Sequence, residues 1–227
     1  MRKALERIAG EANVYWIGHR HPIAHWEGAT ASDMQGYWVI GGHYPASDIA
    51  SKITSPSALA AVVREPIERA MSLYQHMIRS DREHPLRDEL RALGLLGALH
   101  DSPRFIAEVQ NQQCRLISDH EDFGAVCDRV KHEPWLLATV DQSSRVLWAM
   151  AREMRRLSFR GLRNHNVGPP GYLKALWTPQ VEQRLVTLTR EDARLFEFVR
   201  DRPPVLSTLK PRTVFARALT GLRWQAA

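Results

Sequence analysis

Cysteine is scarce in this chain: only Cys114 and Cys127 occur in 227 residues. So few cannot staple a disulfide framework. The pair fits a reducing compartment, with a single bridge left open. No stretch of about 18 apolar residues occurs, so nothing here reads as a membrane span. The opening MRKALERIAG is charged and helical in pattern and lacks the apolar middle of a signal peptide, so a cytoplasmic protein is expected. There is no G-x-x-x-x-G-K-[ST] loop, which excludes a P-loop kinase or other NTPase as the chain stands. Internal repeats and low-complexity linkers are also missing. The expectation is therefore one domain over residues 1–227, with a tail from about 203.

Basic residues, by contrast, are in surplus. Lys and Arg outnumber Asp and Glu by 31 to 25, a formal net charge of +6. That favours an anionic partner: a nucleotide, an acidic sugar, nucleic acid or a membrane surface. The basic residues are spread along the chain and no nucleic-acid-binding motif accompanies them, so nucleic acid is not the expected partner. His19, His21 and His25 have a spacing that zinc can use. They have no nearby cysteine, and Pro22 opposes a helix that would gather them, so a plain loop is the better reading and no metal is expected.

Short apolar runs alternate with helical patterns, which argues for an α/β fold with a mostly parallel sheet. Strands are expected at Val14–Ile17, Tyr37–Ile40, Leu59–Val63 and Trp135–Val140. Leu59–Val63 is apolar on both faces and reads as a central, buried strand. Ser102-Pro103 and Thr178-Pro179 are helix starts, an N-cap followed by proline at the first helical position. The first opens a helix carrying Phe105, Ile106, Val109 and Leu116. The second opens one carrying Val181, Leu185, Leu188, Leu195 and Val199. Asp141 is placed to cap a third, with Val146, Leu147, Met150, Met154 and Leu157 facing inward. The tail beyond Pro203-Pro204 sets Lys210, Arg212, Arg217 and Arg223 among apolar residues. A helix packed on the domain is favoured there over a membrane- or polyanion-binding element.

The most informative stretch is VVREPIERAMS, Val62 to Ser72. A strand ends at Arg64, and Pro66 suits the first turn of a helix. Ile67, Ala70 or Met71, Tyr74, and Met77 or Ile78 then form an apolar stripe opposite the polar Glu68, Ser72, Gln75 and Arg79. Strand, tight turn and helix is the geometry that places ligands at the carboxyl ends of parallel strands. Free N–H groups and the helix dipole favour an anion there, and a guanidinium fork suits phosphate. Glu65 and Glu68 complicate this unless they point away. The competing reading pairs Arg64 with Glu68 and leaves Ser72 a surface serine.

Arg64-Glu-Pro-x-x-Arg69-x-x-Ser72 at a strand end resembles the 3′-phosphate signature of sulfotransferases that use 3′-phosphoadenosine-5′-phosphosulfate (PAPS). The likeness is to the carbohydrate sulfotransferase family that includes the heparan sulfate 2-O- and 6-O-enzymes and bacterial relatives. Gly41-Gly42-His43-Tyr44-Pro45 is similar to a Gly-His stretch that precedes the signature in that family. Asn111-Gln112-Gln113-Cys114-Arg115-Leu116-Ile117 is similar to an Asn-x-Gln-Thr-Arg-x-Leu stretch that follows it, with Cys114 in the threonine's place. Asn164-His165-Asn166 and Trp177-Thr178-Pro179 are similar to the family's C-terminal part. The likeness covers roughly residues 1–200, and its weight lies in the shared order of the stretches.

The resemblance implies a P-loop-like parallel sheet flanked by helices. It implies Arg64 and Ser72 on the 3′-phosphate, with Arg69 helping or bracing the turn, and Gln113 and Arg115 lining the cofactor or acceptor site. The acceptor would be a hydroxyl of a sugar or glycan, and the reaction would need no metal. His43, following the second strand, is the expected general base. Some relatives use a carboxylate instead, and the plain alternative is a loop histidine bonded to backbone. The family's first strand and Pro-Lys-x-Gly-Thr-Ser phosphate loop have no counterpart, since Met1 opens on what looks like the following helix. The expectation is therefore an enzyme whose start is misplaced. The alternative is a non-catalytic, degraded relative that binds nucleotide or polyanion. The missing strand also predicts an exposed sheet edge or apolar groove.

Overall fold

The computed structural model describes residues 1–18, 21–53, 59–79, 84–153 and 176–201. Its architecture is mixed α/β, mostly helical, with small parallel sheets. Helix α1 (Arg2–Ala9) buries Ala4, Leu5, Ile8 and Ala9, one face at helical spacing. A 3-10 turn leads into β1 (Val14–Trp16). Two short helices, α2 (Ile23–Gly28) and α3 (Ala31–Met34), precede β2 (Val39–Gly41). The strands pair in parallel, Val14 opposite Val39 and Trp16 opposite Gly41. Lys52, much later in the chain, donates to the carbonyls of Trp26 and Ala29 at 2.8 and 2.7 Å and pins the end of α2.

After β2 come α4 (Ala46–Ser51), β3 (Leu59–Val63), α5 (Pro66–Arg79), α6 (Arg87–Asp101), α7 (Pro103–Val109), α8 (Gln112–Ser118) and α9 (Phe123–His132). Then follow β4 (Trp135–Thr139), α10 (Ser143–Glu153), α11 (Pro179–Leu188) and α12 (Arg190–Arg200). Strand β3 pairs in parallel with β4, Leu59 opposite Trp135 and Val63 opposite Thr139. One core joins α5, α6, α7 and α11 through Tyr74, Leu90, Leu99, Phe105 and Leu185. A second joins β3 and β4 to α8, α9 and α12 through Val63, Ile117, Val126, Leu137 and Leu195, and Ala46 of α4 enters it. A third packs α1 and α10 on β1 and β2.

All four expected strands form where the apolar runs lie, but among the described residues they make two parallel pairs rather than one sheet. Strand β3 is not the fully buried central strand expected of it. Ala60 is exposed and only Val63 is buried, while β4 buries four of its five residues. Helices α10 and α12 pack against β4, and β3 receives less of this cover. Runs of apolar residues signal strands, but they do not say which edges meet.

Both N-cap predictions are realised. Ser102 Oγ accepts the Phe105 N–H at 3.3 Å, and Thr178 Oγ1 accepts that of Val181 at 3.2 Å. Each of the two long helices is nonetheless broken. The first stops at Val109, and Asn111 takes a left-handed conformation (φ 40°) before α8, so Leu116 belongs to a separate helix. The second breaks at Thr189, whose hydroxyl donates to the Leu185 carbonyl at 2.8 Å, a back-bond that bends helices. Val181, Leu185 and Leu188 therefore pack with α5–α7, whereas Leu195 and Val199 pack on the β3–β4 side. Helix α10 starts at Ser143, two residues beyond the expected cap Asp141. Val146 and Leu147 are buried as expected. Met154, Leu157, Asn164–Asn166 and the tail lie outside the described residues.

Candidate functional site

The expected site residues lie on two turns, one after β2 and one after β3. From β2 the chain runs Gly41-Gly42-His43, and both glycines are required by packing. A Cβ on Gly41 would sit 2.7 Å from the Trp16 ring, and one on Gly42 would sit 2.9 Å from Ile17 Cβ. The turn thus lies flat against the end of β1 and carries His43 outward. From β3 the chain runs Val63-Arg64-Glu65 into α5. Arg69, one turn inside α5, faces both: its charge acts on His43, and those of Arg64 and Arg115 act on it.

The Arg64 turn is held from below by Gln113 at the start of α8. The Gln113 side chain accepts the Arg64 N–H at 2.8 Å and donates to the Arg64 carbonyl at 3.0 Å. Gln113 is 7% exposed, so this amide supports the turn and spends its polar atoms on backbone. The Arg64 side chain is 41% exposed and meets the 67% exposed Glu68 at 3.7 Å. Such a pair contributes about 0–1 kcal/mol and opens easily, so the guanidinium can be recruited by a stronger anion. Glu65 turns back and accepts the Glu68 N–H at 2.6 Å. It therefore caps α5, and the helix N–H groups expected to meet an anion are partly occupied by the chain's own carboxylate.

Arg69 donates to the Glu108 carbonyl at 3.1 Å, which braces α5 against α7. Burial lowers its guanidinium from the ordinary value; Asp192 and Glu108 oppose this, and Arg115 and Arg64 reinforce it. Arg115 is bonded to the Ala107 carbonyl and to Gln112, with Glu121 at 3.4 Å, so it ties α8 back to α7. His43 is exposed by area, yet burial and then Arg69 lower its pKa, with His76 adding and Glu108 opposing. Its imidazole is held neutral, as a base requires. Ser72 stands apart: half-buried, about 9 Å of helix rise beyond Pro66, it makes no hydrogen bond with Arg64, Arg69 or His43.

Of the expected site residues, then, His43, Arg64, Arg69 and Arg115 share one electrostatic neighbourhood, Gln113 lies beneath it, and Ser72 lies farther along α5. The sequence reading missed Glu108, His76 and Asp192. Asp192 carried a signal of a misleading kind. Thr189-x-x-Asp192 has the capping-box spacing, but the carboxylate serves a different helix. Cys114 is buried, and burial with Asp192 pushes its thiol far up, so it is no nucleophile. Of the other histidine cluster, His19 lies outside the described residues, His21 stacks on Tyr15 at 3.9 Å and His25 Nδ1 lies 2.7 Å from the Tyr15 hydroxyl. Among the described residues no group of three His, Cys, Asp or Glu side chains is placed to hold a metal, and no helix is long and apolar enough to cross a membrane.

Comparison of the chain with family models, with curated proteins and with solved structures finds no match.

Proposed function

We propose that this chain is a PAPS-dependent sulfotransferase acting on a hydroxyl of a sugar or glycan. The observation that carries the reading is that Arg69, early in the helix that follows β3, bears electrostatically on both Arg64 at the end of β3 and His43 just after β2. The donor set fits a dianionic phosphate: Arg64 has an exposed fork in a breakable pair, and Arg69 and Arg115 add positive charge behind it. Bound PAPS would supply an activated sulfuryl group with a phosphate leaving group. The acceptor oxygen forms a new S–O bond as the bond from sulfur to the nucleotide phosphate breaks, and the acceptor proton passes to His43. The role of the arginines is alignment and charge stabilisation. Arg64 holds the 3′-phosphate, with Ser72 as a second donor farther along α5.

A second reading, a nucleotide- or polyanion-binding protein without catalysis, draws support from two contacts. Glu65 fills the start of α5, and Arg64 rests on Glu68. Two measurements separate the readings. Calorimetric titration with adenosine 3′,5′-bisphosphate should show binding that Arg64→Ala abolishes or weakens at least tenfold; equal binding by both proteins refutes the site. Transfer of labelled sulfate from PAPS to a glycan panel should fall sharply in His43→Ala. Binding without transfer in the wild type favours the second reading, and full transfer by His43→Ala removes that residue from the mechanism.

A further inference from the structure

Asp192 is the one described carboxylate with no exposed surface. It sits in the first turn of α12, yet its two oxygens face another helix. Oδ2 accepts the Gln113 N–H at 3.0 Å and Oδ1 the Cys114 N–H at 2.8 Å, so it caps the start of α8. The favour is returned. Asn111, the residue before α8, offers Oδ1 to the N–H groups of Glu191 and Asp192 at 3.0 and 3.4 Å, capping α12. The Asn111 N–H also donates to the Leu188 carbonyl at 3.1 Å, at the end of α11. The breaks at Asn111 and Thr189 thus interlock, each helix start capped by a residue of the other.

The next link is Gln113. Its backbone N–H is fixed by Asp192 and its side-chain amide holds both polar backbone atoms of Arg64. Asp192 also faces Arg69 and supplies the buried negative charge that opposes the mutual repulsion of Arg69 with Arg64 and Arg115. A buried charge is costly unless paired and hydrogen-bonded. Burial raises the Asp192 carboxyl above its ordinary value, and the Cys114 and Gln113 N–H groups and the Arg69 charge oppose that rise.

We infer that Asp192 is the positioning residue of the Arg64 turn, acting through Gln113, with Asn111 as the reciprocal half of the clasp. The clasp stands on the geometry alone; its bearing on nucleotide binding rests on the function proposed above.

The test reads the turn directly. In the full chain, amide hydrogen exchange of the Arg64 N–H should speed up roughly five- to tenfold in Asp192→Asn, as expected when about one ordinary hydrogen bond is lost. The Leu90 N–H, bonded to the Leu86 carbonyl at 2.9 Å in a separate core, serves as the internal reference and should not change. In a Gln113→Ala background, Asp192→Asn should add nothing at Arg64, because the path between them is cut. Unchanged exchange at Arg64 in folded Asp192→Asn, or effects of the two substitutions that multiply, overturns the inference. If Asp192→Asn does not fold, Asn111→Gly, which suits the left-handed backbone, should speed Arg64 exchange in the same way, and no change there overturns it. Titration of the same variants with adenosine 3′,5′-bisphosphate should show affinity falling in step with exchange. Faster exchange with undiminished affinity overturns the positioning role. A wild type that binds no nucleotide while the exchange pattern holds refutes the proposed function and leaves the clasp standing.

Discussion

Gln113→Ala removes one side chain and strands both backbone polar atoms of Arg64. The two lost bonds measure 2.8 and 3.0 Å, and Gln113 is 7% exposed, so water replaces them poorly. At about 0.5–1.5 kcal/mol per bond, the loss is about 1–3 kcal/mol. For a domain of this length that corresponds to a fall of roughly 2–12 °C in Tm, at about 2–4 °C per kcal/mol. Gln113→Glu tests the source of the loss. Its carboxylate still accepts the Arg64 N–H but cannot donate to the carbonyl, so it should lose at least half as much. Urea unfolding of the three proteins, with equal m-values, checks the arithmetic. Gln113→Ala unfolding within about 0.3 kcal/mol of wild type would show that the Arg64 turn does not depend on this amide, and the account of the site from below would fail with it.

Two further outcomes follow from the turn that carries Gly42 and His43. His43 has a folded pKa below its ordinary 6.5, so the unfolded chain binds the extra proton first as pH falls. Its share of stability is therefore complete above about pH 6.5 and is lost as pH drops from there towards the folded value. His43→Gln should flatten that part of a stability-versus-pH curve, and an unchanged slope would show the ring is not desolvated. Gly42→Ala places a methyl 2.9 Å from Ile17 Cβ on a turn pressed against β1. The cost of overpacking is about 1–3 kcal/mol, measurable by thermal unfolding, whereas an alanine at Gly36, where nothing lies within 4 Å, should be tolerated.

Local chemistry was readable without coordinates. The four strands, the caps at Ser102 and Thr178, and the buried stripe of Ala70, Met71, Tyr74, Met77 and Ile78 on α5 are set by residues within a few positions of each other. Periodicity and capping act over that range. The apolar pattern also placed Arg64 at a strand end and His43 after another, because a strand's limits are written in its own composition.

What tertiary structure alone decided is which partner each group finds. Glu65 has a free choice of direction in the sequence, and in the fold it caps α5. Gln113, which the resemblance puts in the lining of the cofactor or acceptor site, is buried and bonded to the Arg64 backbone. The two long helical patterns, each continuous by periodicity, are broken at Asn111 and Thr189, and Asp192 serves the helix it does not belong to. The physical reason is range. Propensity and hydrophobic period sum over neighbours along the chain, whereas a buried carboxylate 79 residues from the N–H it accepts is placed by packing that no local pattern records.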